Sequence, residues 1–222
     1  MKHVLSLIVL AGFLSASTAS TAYAQFAIGA RIGANISDYS LNTTTTNTTA
    51  SGATGILGGL QVDYWFNSSW AFSGQLLYIQ KGSTITSIAT DQSKTVTDKI
   101  SSNYLEIPLT VKLRVGDDVV RGYFFAGPTV GFLLSATANS SLSGGASTSN
   151  NVKDQFTSTD FGIIGGAGLD FVLSPSMTIF AEGGYRFGFA NIDASSNASD
   201  TFNTENTRDI RFSAGIVWAI SQ

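Results

Sequence analysis

The chemistry open to this 222-residue chain is bounded first by what it lacks. It has no cysteine and a single histidine, His3. No thiolate nucleophile, disulfide or cysteine-bound metal site is possible. With His3 inside a removable leader (below), a Ser-His-Asp triad, a His-dependent protease, phospholipase or deacylase and a His-ligated metal are also excluded. We expect no cofactor and no metal. Carboxylates, amines, guanidiniums and hydroxyls remain. The carboxylates in strongly patterned segments are Asp63, Glu106, Asp170 and Glu182, and the matching cations are Arg31, Lys81, Lys112, Arg186 and Arg211. Two of these carboxylates could form an acid/base pair. The stronger reading is structural: charges confined to a narrow interior must be paired. The expectation is a neutralised internal network in a protein that is not an enzyme.

The segments carrying these residues alternate at period two, the signature of strands with one apolar face. In 26–37, Phe26, Ile28, Ala30, Ile32, Ala34 and Ile36 oppose Ala27, Gly29, Arg31, Gly33, Asn35 and Ser37. In 104–114, Leu105, Ile107, Leu109, Val111 and Leu113 oppose Glu106, Pro108, Thr110, Lys112 and Arg114. The pattern recurs in 55–66, 70–81, 123–136, 160–173, 177–190 and 208–220, which makes eight strands and no helix of comparable strength. Short connections lie at 67–69, around 116–118 and at 174–176. Long Ser/Thr/Asn-rich connections are expected at about 38–54, 82–101, 137–159 and 191–207. Short turns at one end and long polar loops at the other match an eight-stranded antiparallel up-and-down transmembrane β-barrel. An even strand count returns both ends of the barrel to the side of the short turns.

Composition agrees. Charged residues make up 12% of the chain, against about 25% in a typical soluble domain. A soluble barrel would turn its apolar face inward and a Lys/Glu-rich face to water. Here the face opposite the apolar one is mostly Gly, Ala, Ser and Thr with a few charges of both signs, which suits a crowded interior. Aromatic residues near strand ends are expected to form the two interfacial girdles: Tyr64, Trp65, Phe66, Trp70, Tyr123, Phe124 and Trp218 beside the short turns, with Tyr78, Tyr104, Phe161 and Phe189 nearer the long loops. The net charge of −3 gives a nucleic-acid partner no electrostatic footprint.

The first 24 residues read as a cleavable secretion signal. Lys2 and His3 form the basic region, Val4 to Leu14 the apolar region, and Ala22-Tyr23-Ala24 the small-x-small site. Residues 25–222 then form the barrel domain.

Tyr104-Leu105-Glu106-Ile107-Pro108-Leu109, followed by Lys112, resembles the signature strand of the PorT-like outer-membrane β-barrel proteins of Bacteroidetes. Leu77-Tyr78-Ile79-Gln80-Lys81-Gly82 resembles the strand before it. Gly127-Pro128 with Gly131, the glycine-rich 162–171 and Tyr185-Arg186-Phe187-Gly188 extend the likeness over nearly all of 25–220. The resemblance implies an eight-stranded barrel in the outer membrane, usually without an assigned substrate. The expected partners are outer-membrane lipid and, during insertion, the barrel-assembly machinery, with the protein a monomer. Two further functions stay open on the same fold: a surface adhesin using the long loops, and a narrow channel for small solutes.

Overall fold

A computed structural model describes residues 25–41, 48–88, 95–116, 119–142, 147–189 and 204–220. Its strands are β1 (Gln25–Leu41), β2 (Thr48–Trp65), β3 (Trp70–Ile88), β4 (Thr95–Val115), β5 (Val120–Leu142), β6 (Ser147–Asn151), β7 (Thr159–Ser174), β8 (Met177–Gly188) and β9 (Thr204–Ala219). A single 3-10 turn, Lys153–Gln155, separates β6 from β7. Every pairing is antiparallel. The sheet runs β4-β3-β2-β1-β9-β8-β7-β5, and a β4–β5 pairing closes it into an eight-stranded barrel. Closure removes the free edges that lipid cannot satisfy. The remaining strand, β6, pairs among the described residues only with the outer part of β5, Thr137 to Ser141, and is not one of the eight strands of the ring.

The barrel is inverted relative to a water-soluble one. Ile32 is 73% exposed and Phe212 57%, while Arg31 is 7% and Arg211 5%. The outer surface carries further exposed Phe, Ile, Leu and Val on every strand of the ring. An apolar surface this continuous is stable only against lipid. Within the described residues the parity rule decides each side chain's direction: Ser73, Gln75, Leu77, Ile79, Lys81 and Ser83 are buried, while Phe72, Leu76 and Tyr78 are exposed.

Three expectations are corrected. The long connections are far shorter than the sequence pattern suggested, because β3 runs on to Ile88, β4 starts at Thr95 and β5 continues to Leu142. Their Ser/Thr-rich ends lack hydrophobic alternation but pair with one another, Ser87 with Val96 and Thr97 with Ser141. At 23 residues β5 is about twice the 9–11 needed to span a bilayer. Second, part of the expected 137–159 loop is strand β6. Third, Tyr104 is not an interfacial aromatic. It is fully buried on the lumenal side, since it stands two positions from Glu106 on an alternating strand. Residues 1–24, expected above to be a secretion signal, and most of the expected 191–207 connection lie outside the described residues.

Gly127 lies at a close approach of β5 to β4. A Cβ there would lie 2.7 Å from the Thr110 Cα of β4. Glycine is therefore required where β5 leans onto β4.

Candidate functional site

The lumen is filled by side chains in stacked layers. The uppermost draws on five strands: Lys81 from β3, Glu106 from β4, Asp160 from β7, Arg186 from β8, and Asp209 and Arg211 from β9. Lys81 Nζ lies 3.1 Å from Asp160, 3.3 Å from Asp209 and 3.4 Å from Glu106. Arg186 reaches Asp160 at 3.0 Å and Glu106 at 3.3 Å. Its Nε donates to Thr129 Oγ1 and its Nη1 to Thr207 Oγ1. Arg211 donates to both oxygens of Glu106, at 2.6 and 3.0 Å, and to Asp209 at 2.9 Å. The Lys81 ammonium sits 4.8 Å from the centre of the Tyr104 ring. Three cations thus face three carboxylates with water excluded.

The middle layer is smaller. Arg31 donates to Glu182 and to Gln61. Glu182 also accepts from Tyr123 at 2.8 Å and from Ser213 at 3.2 Å. The Arg31 guanidinium lies over Phe180, 5.0 Å from the ring centre. Gln61 passes the network downward by donating to Asp63 at 3.1 Å.

At the tight-turn end, Lys112 Nζ donates to both oxygens of Asp63, at 3.0 and 3.2 Å. Arg114 donates to Asp170 through Nε and Nη2. It stacks on Trp65 with its Cζ 3.5 Å from the ring centre. In all, six cations and six carboxylates are joined in described ion pairs.

Between the upper and middle layers a cavity of about 10 Å³ remains, lined in part by Gln75, Thr110, Arg211 and Ser213. That is scarcely room for one water molecule. Apolar groups close the rest: Tyr123, Phe125, Ile164 and Phe180 on one side, Leu57, Leu77 and Ile79 on the other. A larger cavity, about 140 Å³, opens at the tight-turn mouth below Tyr123 and Phe180.

All nine charged residues singled out in the sequence lie in this interior, and each meets at least one opposite charge. Glu106 gathers Arg211, Arg186 and Lys81, and Glu182 takes Arg31. Asp160, Asp209 and Arg114 complete the ion pairs, and the sequence reading did not place them in the network. The neutral links Gln61, Thr129 and Thr207 also belong to the network, and Trp65 and Tyr123, expected at the interface, are instead buried in the lumen. A signal was available: Asp209 stands two positions from Arg211, Arg114 two from Lys112, and Trp65 two from Asp63. Of the aromatics assigned to the interfaces, Phe66, Trp70, Tyr78, Phe124, Phe189 and Trp218 are exposed on the outer surface. Tyr64 is half-buried between Phe26 and Phe66, at ring-centre distances of 4.8 and 5.0 Å. Each lumenal carboxylate is held by a cation, an arrangement that neutralises charge. Among the described residues no group of three or more His, Asp or Glu is placed to hold a metal.

Several solved structures align with most of this chain at low identity. Neisserial surface protein A aligns with 87% of this chain and 96% of its own at 15% identity, with a TM-score of 0.49. OprG of Pseudomonas aeruginosa aligns with 90% of this chain and 98% of its own at 13% identity and a TM-score of 0.48. Ail of Yersinia pestis aligns with 88% and 99% at 16% identity and 0.44. No curated protein matches the sequence. The family model for the outer membrane protein beta-barrel domain matches residues 16–194. The chain belongs to that family, and its site of action is the outer membrane.

Proposed function

We propose that this protein is a non-enzymatic, closed outer-membrane barrel, anchored by lipid around its apolar belt and sealed by its own lumenal charges. The observation that supports this most is the layered interior. The upper ion-pair layer is fully desolvated, and the Phe125 and Phe180 side lies below it. Ion pairs within a low-dielectric interior are costly to break, because the partner left behind is buried and unpaired. The lumen is therefore a strut. Export through a leader in 1–24, insertion by the barrel-assembly machinery and a monomeric state belong to the same reading. Affiliation with the PorT-like branch rests on the Tyr104–Leu109 segment and its Lys112. Planar-bilayer recording of the purified barrel tests the closed lumen. The expected trace is flat, and reproducible unitary steps for small ions would replace this reading with that of a narrow channel.

One observation favours a second role on the same scaffold. β6 pairs with the outer part of β5 beyond the eight strands of the ring, and all five of its residues are exposed and uncharged. A surface-binding function would use it. Deleting 143–151 should abolish cell attachment under that reading and leave barrel assembly intact.

A further inference from the structure

The cavity at the tight-turn mouth is chemically unlike the rest of the lumen. Its described lining holds three cations, Lys112, Arg114 and Arg121, and two carboxylates, Asp63 and Asp170. Lys112 and Asp63 satisfy one another. Asp170 lies opposite Arg121 across the β5–β7 ladder and accepts two hydrogen bonds from Arg114 on a single oxygen. Arg114 and Arg121 thus line one small space beside Asp170. Arg114 is held in a fixed plane: Trp65 supports its face and Asp170 engages its edge. A guanidinium fixed in this way presents its remaining donors as a fork suited to phosphate or carboxylate. The stacked aromatic adds to the orientation without consuming a donor. The volume, about 140 Å³, is that of a cavity able to hold a benzene-sized guest. The floor at Tyr123 and Phe180 blocks passage onward, so the space is a blind seat rather than the start of a pore.

We propose that this vestibule binds a small soluble oxyanion group, a phosphate or carboxylate, between Arg114 and Arg121. Entry is from the aqueous phase on the side of the short turns, because the lining is lumenal. The proposal rests on the barrel architecture and not on whether the lumen conducts.

The test uses the full barrel refolded in zwitterionic detergent, with the arginine Nε–Hε signals followed by NMR as inorganic phosphate replaces chloride at matched ionic strength. The expected result is a saturable shift of the Arg114 and Arg121 signals. Arg121→Gln should weaken phosphate binding about tenfold or more, while Arg121→Lys, which keeps the charge and loses the fork, should fall between. Lys153→Gln, a remote loss of equal charge, should bind like the parent. Retained heat-modifiable gel migration will show that each variant is folded. No saturation up to decimolar phosphate, or equal weakening by Lys153→Gln, would overturn the proposal. A response only when the micelles are doped with anionic phospholipid would overturn the assignment of a soluble ligand.

Discussion

Glu106 of β4 accepts hydrogen bonds from both Nη1 and Nη2 of Arg211 of β9, two residues 105 positions apart in sequence and on strands that do not pair with each other. The bond crosses the lumen, so it ties together walls that the backbone ladder leaves unconnected. Glu106 also lies beside Arg186 and Lys81. Glu106→Gln removes a carboxylate shared by three cations. The expected loss of stability is about 3–5 kcal/mol, the usual cost of leaving buried charge unpaired. Asp154→Asn, an exposed carboxylate in the 3-10 turn, should change stability by less than about 0.5 kcal/mol. Urea unfolding in detergent measures both. Adding Arg211→Met to Glu106→Gln should recover part of the loss, since the pair acts as a unit. Equal unfolding of Glu106→Gln and the parent would show a solvated carboxylate and a wetter lumen.

The outer face makes a contrasting demand. Leu109 and Thr110 are neighbours in sequence, yet Leu109 is exposed to the lipid side and Thr110 is buried within the barrel. Leu109→Arg should lower folding stability by about 2–4 kcal/mol, the cost of a guanidinium near the bilayer midplane. Thr110→Ser should leave assembly near the parent level. The folded fraction on heat-modifiable gels separates the two. Equal assembly of both variants would reverse the facing of β4.

The same alternation explains what could be read from the sequence and where reading stopped. Period two in 104–114 placed Glu106 and Lys112 inside and Leu109 outside without any structure. At Tyr104 two signals conflict: aromatics favour interfaces, while its parity with Glu106 points inward. Parity prevails because a one-residue change of facing would reverse every side chain on the strand. Asp160 and Asp209 stand at the starts of the patterned segments 160–173 and 208–220, with the parity of Asp170 and Arg211, but the strand pattern alone does not show that Lys81 and Arg186 reach them. The strands continue where their apolar faces weaken, carried by Ser and Thr ladders such as Ser83 with Ile100 and Ser101 with Thr137. Hydrophobic alternation reports lipid contact, so it fades as strands leave the bilayer while their hydrogen bonding persists. The lumenal apolar groups Phe125, Phe180 and Leu77 carry no sequence signal that distinguishes them from lipid-facing ones except their parity.

Backbone proximity gives a separate prediction. Gly127→Ala should destabilise the barrel by about 1–3 kcal/mol, the range for forcing extra atoms into a packed interior. The new methyl would meet β4 backbone rather than a flexible side chain. Gly58 makes a useful control, because its added Cβ would find its nearest neighbour, the Arg31 carbonyl oxygen, at an ordinary 3.5 Å. Gly58→Ala should unfold within about 0.5 kcal/mol of the parent. Matching losses in the two variants would show that strand propensity, and not the β4–β5 approach, governs the glycines.

Orientation in the membrane is the last prediction. The short turns at 66–69 and 174–176 lie at the end of the barrel that holds the Lys112–Asp63 and Arg114–Asp170 pairs. The long strands β3, β4 and β5 project from the other end and carry β6. In outer-membrane barrels the tight turns face the periplasm and the longer extensions face outward. An epitope inserted at Ser147, where β6 begins, should be stained by antibody on intact cells. One inserted at Ser68, in the bend joining β2 to β3, should be stained only after the outer membrane is permeabilised. Both sites are exposed, and neither lies in the closed ladder, so both insertions should leave the barrel folded. Staining at Ser68 on intact cells would invert the orientation. It would also place the arginine-lined vestibule at the cell surface, where its ligand would come from the medium instead of the periplasm.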